Sequence, residues 1–154
     1  MTTNSTTAED RLADPGMQGG LTVIQRVAIC FAAGVVGALV VVLFSHVLFA
    51  LGIGQKLGVK EPVSLKSPDV YRPLFWGGLW GIPFGLLIEP AWTHLYLFGF
   101  LYFLAPVLAL FTIFLPKGAL RRGGLGLAVY LVLVNVPYGI VTALVAGVII
   151  GEVP

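Results

Sequence analysis

Residues 71–88 read YRPLFWGGLWGIPFGLLI, and residues 139–151 read GIVTALVAGVIIG. Both stretches are apolar, and in each of them a small residue recurs at every fourth position. A four-residue repeat places all the small residues on one face of a helix. In a lipid bilayer such a face lets two helix backbones approach closely. The first ladder is Gly77, Gly81, Gly85 and the second ladder is Gly139, Ala143, Gly147, Gly151.

The composition of the chain points to the membrane. Of its 154 residues, 58% are hydrophobic and 10% are charged, and the mean hydropathy is +0.98. Soluble domains carry about 25% charged residues, so this chain has too few charges to cover a surface that faces water. The net charge of +2 is small. We therefore expect an integral membrane protein in contact with the lipid bilayer, and no binding of nucleic acid.

Four apolar stretches are candidates for membrane-spanning helices, since a helix needs about 20 apolar residues to cross a bilayer. They cover residues of about 27–51, 71–88, 95–115 and 125–150. A polar, Thr-rich segment, residues 1–22, precedes them, and we expect it to be a disordered tail. The transmembrane domain is then 23–154. The predicted fold is all-α, an integral membrane four-helix bundle whose helices pack through the two ladders.

The distribution of Lys and Arg predicts the orientation of the spans. Loops 52–72 and 116–124 lie on the same side of a four-span protein and carry seven of these residues, whereas the tails and the loop at 89–94 carry two, Arg11 and Arg26. The positive-inside rule places the seven in the cytoplasm and both termini outside. Alternatively, the short second segment is re-entrant, which leaves three spans and splits the charges five to four. The seven are Lys56, Lys60, Lys66, Arg72, Lys117, Arg121 and Arg122.

Two polar side chains lie within the predicted spans. His46 is near the end of the first span, and Asn135 is the most deeply placed strongly polar residue. Both lie toward the predicted cytoplasmic side, so they could hydrogen-bond to each other if the first and fourth spans touch. A buried amide needs a partner in apolar surroundings. The alternative is that either residue contacts a substrate or an ion.

The ladders also allow two interpretations. They can pack helices within a single bundle, where they could face each other because spans two and four run in parallel. Alternatively, they can line a surface that docks a second copy or another membrane subunit.

Motifs for catalysis are missing from the sequence. There is no phosphate-binding loop, dinucleotide fingerprint or HExxH pattern, and no G-x-S-x-G nucleophile elbow. No predicted span carries a carboxylate, and the single cysteine, Cys30, excludes an internal disulfide. We therefore expect no enzyme activity, no cofactor and no metal site.

Two glycine-rich segments carry a family resemblance. Residues 81–85 read GIPFG and residues 122–126 read RGGLG. In their spacing and in the order of the spans around them, the chain resembles the YagU-like group of small bacterial inner-membrane proteins. The resemblance covers spans two to four and implies a small four-span inner-membrane protein. It implies no catalytic residue.

Two functions are compatible with these features. The first is a non-enzymatic accessory or structural subunit that associates through helix contacts with itself, as a homo-oligomer, or with a larger membrane complex. The second is a small oligomeric permease or channel-like module for a small solute, with His46 and Asn135 near the pathway.

Overall fold

The computed structural model describes residues 21–114 and 119–151, and every regular element in those ranges is a helix. Residues 1–20 of the predicted tail and residues 115–118 and 152–154 lie outside the described residues. The helices are α1 (Val23–Ala50), α2 (Ile53–Lys56), α3 (Tyr71–Ala91), a 3-10 turn (Trp92–His94), α4 (Leu95–Tyr102), α5 (Leu104–Ala109), a π-helical segment (Leu110–Phe114) and α6 (Ala119–Gly151).

Three helical stretches in the described residues are long and apolar enough to cross a membrane: Val23–Ala50, Tyr71–Ile113 and Gly124–Gly151. The second has 43 residues and contains the second predicted span and residues 95–113 of the third. Only the three residues of the 3-10 turn separate them, and the backbone leaves the helical region at His94, where φ is −126° and ψ is 36°.

The contacts on either side of this turn show that α4 folds back along α3. The rings of Phe84 and Phe98 stack with their centroids 5.2 Å apart. The hydroxyl of Tyr102 donates a hydrogen bond to the carbonyl oxygen of Trp80 at 2.7 Å. Both pairs are centred on Ala91 in the sequence, so α3 and α4 lie side by side and antiparallel.

The first helix begins earlier than the apolar pattern predicts, at Val23 rather than near Val27. Thr22 is its N-cap residue. The Thr22 side chain accepts from the backbone N–H of Gln25, and the Gln25 side chain accepts from the backbone N–H of Thr22. This reciprocal pair satisfies donors that the first helical turn leaves without partners, so the polar residues before Val27 are helical too.

Part of the predicted loop at 116–124 is helical in the described residues. Helix starts at Ala119 and is interrupted at Gly124, whose φ of +64° and ψ of −167° are not helical. A positive φ is accessible to glycine because it has no Cβ. The break at Gly124 therefore separates a short helical segment, which begins at Ala119, from the apolar part of α6. The basic residues in this stretch lie in a helix and not in a loop.

Helix α1 lies between α3 and α6 and packs closely on both, while α4 packs on α6. The first ladder meets α1: a Cβ built on Gly77 would lie 2.7 Å from the carbonyl oxygen of Gly34, and one on Gly85 would lie 3.0 Å from the Cα of Val27. Residue numbers on α3 rise as those on α1 fall, so the two helices are antiparallel.

The second ladder faces a different helix. A Cβ built on Gly139 would lie 2.9 Å from the backbone nitrogen of Phe103, and one on Gly147 would lie 2.9 Å from a methyl group of Leu95. Gly151 has nothing within 4 Å of such a Cβ. The two ladders thus do not face each other, since the first contacts α1 and the second contacts α4 and the residue after it.

Candidate functional site

A cavity of about 370 Å³ lies among α1, α3, α5 and α6. Its volume falls within the range of small-molecule sites, which is about 300–1,000 Å³. Most of its wall is apolar or aromatic, with a few polar groups. The lining residues are Ala38, Val41, Val63, Arg72, Pro73, Trp76, Gly77, Trp80, Pro106, Leu110, Asn135 and Tyr138.

The cavity lies beside an interruption in the helix that follows the 3-10 turn, at Phe103, where α4 ends and α5 begins. Helix α4 packs tightly on α6, with Gly99 against Gly139. Helix α5 has a proline at its third position, Pro106, and runs into the π-helical segment at Leu110. Proline removes a backbone donor and bends a helix, and π-helical turns are frequent at functional sites. Beyond Phe103 the bundle centre is therefore less completely filled.

The floor of the cavity is a layer of aromatic residues. The hydroxyl of Tyr138 donates to the carbonyl oxygen of Gly77 at 2.6 Å. Beyond it, the ring of Phe84 lies 4.9 Å from that of Tyr102, measured between centroids, and both residues are buried. These aromatic side chains therefore pack between the cavity and the 3-10 turn.

The opposite end of the cavity, which we call the mouth, lies where α3 begins. Arg72 is the second residue of α3 and is exposed. Val63 belongs to the loop between α2 and α3 and lines the same space. The cavity therefore reaches the end of the bundle that carries the basic first loop, and its charged rim residue is an arginine.

Asn135 is one of the polar groups in the wall. Its side-chain nitrogen donates to the carbonyl oxygen of Leu131, one turn earlier in the same helix, at 2.8 Å. The hydrogen bond to His46 that the sequence allowed is not formed. Among the described residues, Asn135 thus makes no hydrogen bond between helices, and its side-chain oxygen can accept one at the cavity wall.

His46 instead holds the loop that borders the mouth. Its Nε2 atom lies 3.0 Å from the carbonyl oxygen of Val63. The neighbouring Ser45 accepts from the backbone N–H of Val63 at 3.2 Å and donates to the carbonyl oxygen of Val42 at 2.6 Å. Consecutive residues of α1 therefore fix both backbone polar groups of one cavity-lining residue.

Sequence reasoning found two of these residues, His46 and Asn135, but not their shared relation to the cavity. It missed Arg72 as a rim residue, the Ser45–Val63 bond and the two tryptophans of the wall. An available signal was the spacing of Arg72, Trp76 and Trp80, which recurs every four residues and defines one face of α3.

The opposite end of the bundle has a different chemistry. Arg26, near the start of α1, forms an ion pair with Glu89, near the end of α3, at 2.5 Å. A second, smaller space is bordered by Trp92 and His94. Among residues 21–114 and 119–151, no group of three or more His, Cys, Asp and Glu side chains is arranged to hold a metal ion.

A scan against protein-family models and searches of curated proteins and of solved structures find no match to this chain. The likeness to YagU-like proteins therefore stays an interpretation of the quoted residues.

Proposed function

We propose that this chain is a four-span protein of the bacterial inner membrane, and that it binds a small solute in the cavity as a non-enzymatic permease or channel-like module. The single observation that carries this proposal is the cavity itself, which extends from Arg72 at one end to Trp80 at the other. A space of this kind that reaches one end of the helices is suited to binding a solute from one face of a membrane.

Helix lengths support four spans. Helix α3 has 21 residues, which corresponds to about 31 Å at 1.5 Å per residue. The run from Leu95 to Phe114 rises about 30 Å on the same measure. Each matches a hydrocarbon core of about 30 Å, which favours a four-helix bundle with ladder packing over a re-entrant second segment.

The charge distribution supports the orientation. Loops 52–72 and 116–124 carry most of the basic residues, and the positive-inside rule assigns such loops to the cytoplasm. The mouth of the cavity would then face the cytoplasm, and the Arg26–Glu89 pair would lie near the outer surface.

The accessory-subunit hypothesis remains a second proposal, but the surface that would dock the partner differs from the one predicted from the sequence. Most of the ladder glycines contact helices of the same chain, so docking to a larger complex or to a second copy would have to use another surface. Self-association also matters for the first proposal. Four helices are few for enclosing a pathway through the bilayer, so a transport function would require an oligomer.

A matched pair of substitutions tests the binding function. Leu110→Trp adds volume at a residue that lines the cavity, whereas Leu108→Trp adds the same volume at a residue that is 61% exposed. Native mass spectrometry of protein released from its own membranes would detect a bound small molecule. We expect it in the wild type and in Leu108→Trp, and a loss in Leu110→Trp.

The opposite result has a clear meaning. No bound small molecule in the wild type, or the same amount in both variants, would contradict a binding role for the cavity. A stoichiometric larger protein in the same preparation would favour the accessory-subunit proposal.

A further inference from the structure

We infer that the ligand of the cavity is an amphipathic anion, with its acidic head at Arg72 and its apolar body between Trp76, Trp80 and Leu110. This inference rests on the proposed binding function and adds the chemical class of the ligand. It follows from three features of the wall: its charge, its depth and the order of its polar and apolar groups.

The charge of the wall favours a ligand with a negatively charged head. Within the described part of the chain, Arg72 is the one charged residue that lines the cavity, and no carboxylate lines it. A guanidinium presents five donors in a planar fork that matches carboxylate and phosphate oxygens. A cationic ligand would meet a like charge at the mouth with no acidic partner inside.

The depth of the wall selects an elongated ligand. From Arg72 to Trp80 the cavity follows eight residues of α3, a rise of about 12 Å. Below the rim the wall is formed mainly by aromatic and aliphatic side chains, including Trp80, Pro106 and Leu110. Burial of an apolar body against these side chains would supply most of the binding free energy.

The polar groups lie where the head of such a ligand would sit. Helices α3 and α6 run in parallel, and the Tyr138–Gly77 bond places these two residues at one level. Asn135 precedes Tyr138 by three residues and so lies about 4.5 Å closer to the mouth. Arg72 and the Asn135 amide are therefore both on the mouth side of the floor, and the head is at the end nearest to water.

Tryptophan quenching tests this inference on the full chain. Trp92 is one of the three tryptophans and does not line the cavity, so Trp92→Phe leaves Trp76 and Trp80 as reporters. Purified protein in a nonionic detergent is titrated with bromoundecanoate and with bromoundecanol, because bromine quenches a tryptophan that it contacts. The two probes differ in the charge of the head.

We expect saturable quenching by both probes, with the carboxylate binding about tenfold more tightly, as one charge-assisted hydrogen bond allows. Arg72→Gln should remove most of this difference and leave binding of the alcohol unchanged. Lys56→Gln removes a basic residue of α2 that does not line the cavity. It should change neither the difference between the two probes nor the affinity for the alcohol. Comparison of these two variants cancels partition of the probes into detergent.

The failures are distinguishable. Equal affinities for the acid and the alcohol would overturn the inference and leave the binding function in place. No saturable quenching by either probe would overturn both. Nanodiscs with brominated phosphatidylglycerol separate the sources of a supported ligand: quenching there indicates a membrane lipid, and quenching by the free acid alone indicates a soluble amphiphile.

Discussion

The hydroxyl of Tyr138 on α6 donates a hydrogen bond to the carbonyl oxygen of Gly77 on α3 at 2.6 Å, and both residues are buried. Each of these helices also packs on α1. The bond therefore joins α3 to α6 in the wall of the cavity, at a level where a glycine brings the α3 backbone within reach.

Removal of this hydroxyl should destabilise the fold modestly. Hydrogen bonds between membrane helices contribute about 0.6–1.7 kcal/mol, so we expect Tyr138→Phe to lower the free energy of unfolding by that amount. Denaturation in mixed micelles measures it. Tyr71→Phe removes a hydroxyl from an exposed tyrosine and is the matched control. Equal stability of the two variants would argue that the Tyr138 bond is not formed in the membrane.

The contact of Gly81 with α1 should not tolerate a side chain. A Cβ on Gly81 would lie 2.9 Å from the Cα of Phe31 and closer still to the backbone of Cys30. Since backbone atoms cannot move aside as a flexible side chain can, Gly81→Leu should separate α1 from α3 and lower the thermal midpoint strongly. Gly151→Leu, where the added Cβ meets nothing within 4 Å, should change it little.

A fully folded Gly81→Leu variant with a native thermal midpoint would contradict packing through the first ladder. A Gly151→Leu variant as unstable as Gly81→Leu would point instead to a general intolerance of large residues in these helices.

The Ser45–Val63 bond should hold the loop at the mouth in place. Ser45→Ala removes the acceptor of the Val63 N–H, and we expect faster hydrogen exchange at the Val63 amide, with a loss of about 0.5–1.5 kcal/mol in local stability. Ser64→Ala removes a hydroxyl of the same loop that accepts from the Lys66 amide. Unchanged exchange at Val63 in Ser45→Ala would show that this hydroxyl does not restrain the loop.

Much of the helical architecture could be predicted from the sequence, because long apolar runs have few alternatives in a bilayer. Composition and hydropathy alone predict the membrane character and the all-helical class. The capping box at Thr22 and the helix before Gly124 were missed, since both lie in polar segments where hydropathy gives no signal.

The cavity could not be predicted from the sequence, because it depends on where α5 diverges from the helices at the centre of the bundle. Pro106 is visible in the sequence, but the separation of α5 from the bundle centre depends on Gly99 holding α4 close to α6. The relation of His46 to Asn135 was uncertain for a similar reason. Their similar depth was deduced from residue counts, but both found nearer backbone acceptors, at Val63 and Leu131.

The central claim is that the cavity opens to water at the end of the basic loops, and cysteine labelling tests it most directly. In a Cys30→Ala background, Asn135→Cys places a thiol in the cavity wall, and Leu144→Cys places one on α6 at a residue that is 45% exposed and lines neither described cavity. A membrane-impermeant thiosulfonate is applied to inverted vesicles or to spheroplasts. We predict labelling of Asn135→Cys in inverted vesicles alone, and no labelling of Leu144→Cys. Labelling of Asn135→Cys from the outer face, or from neither face, would contradict the account.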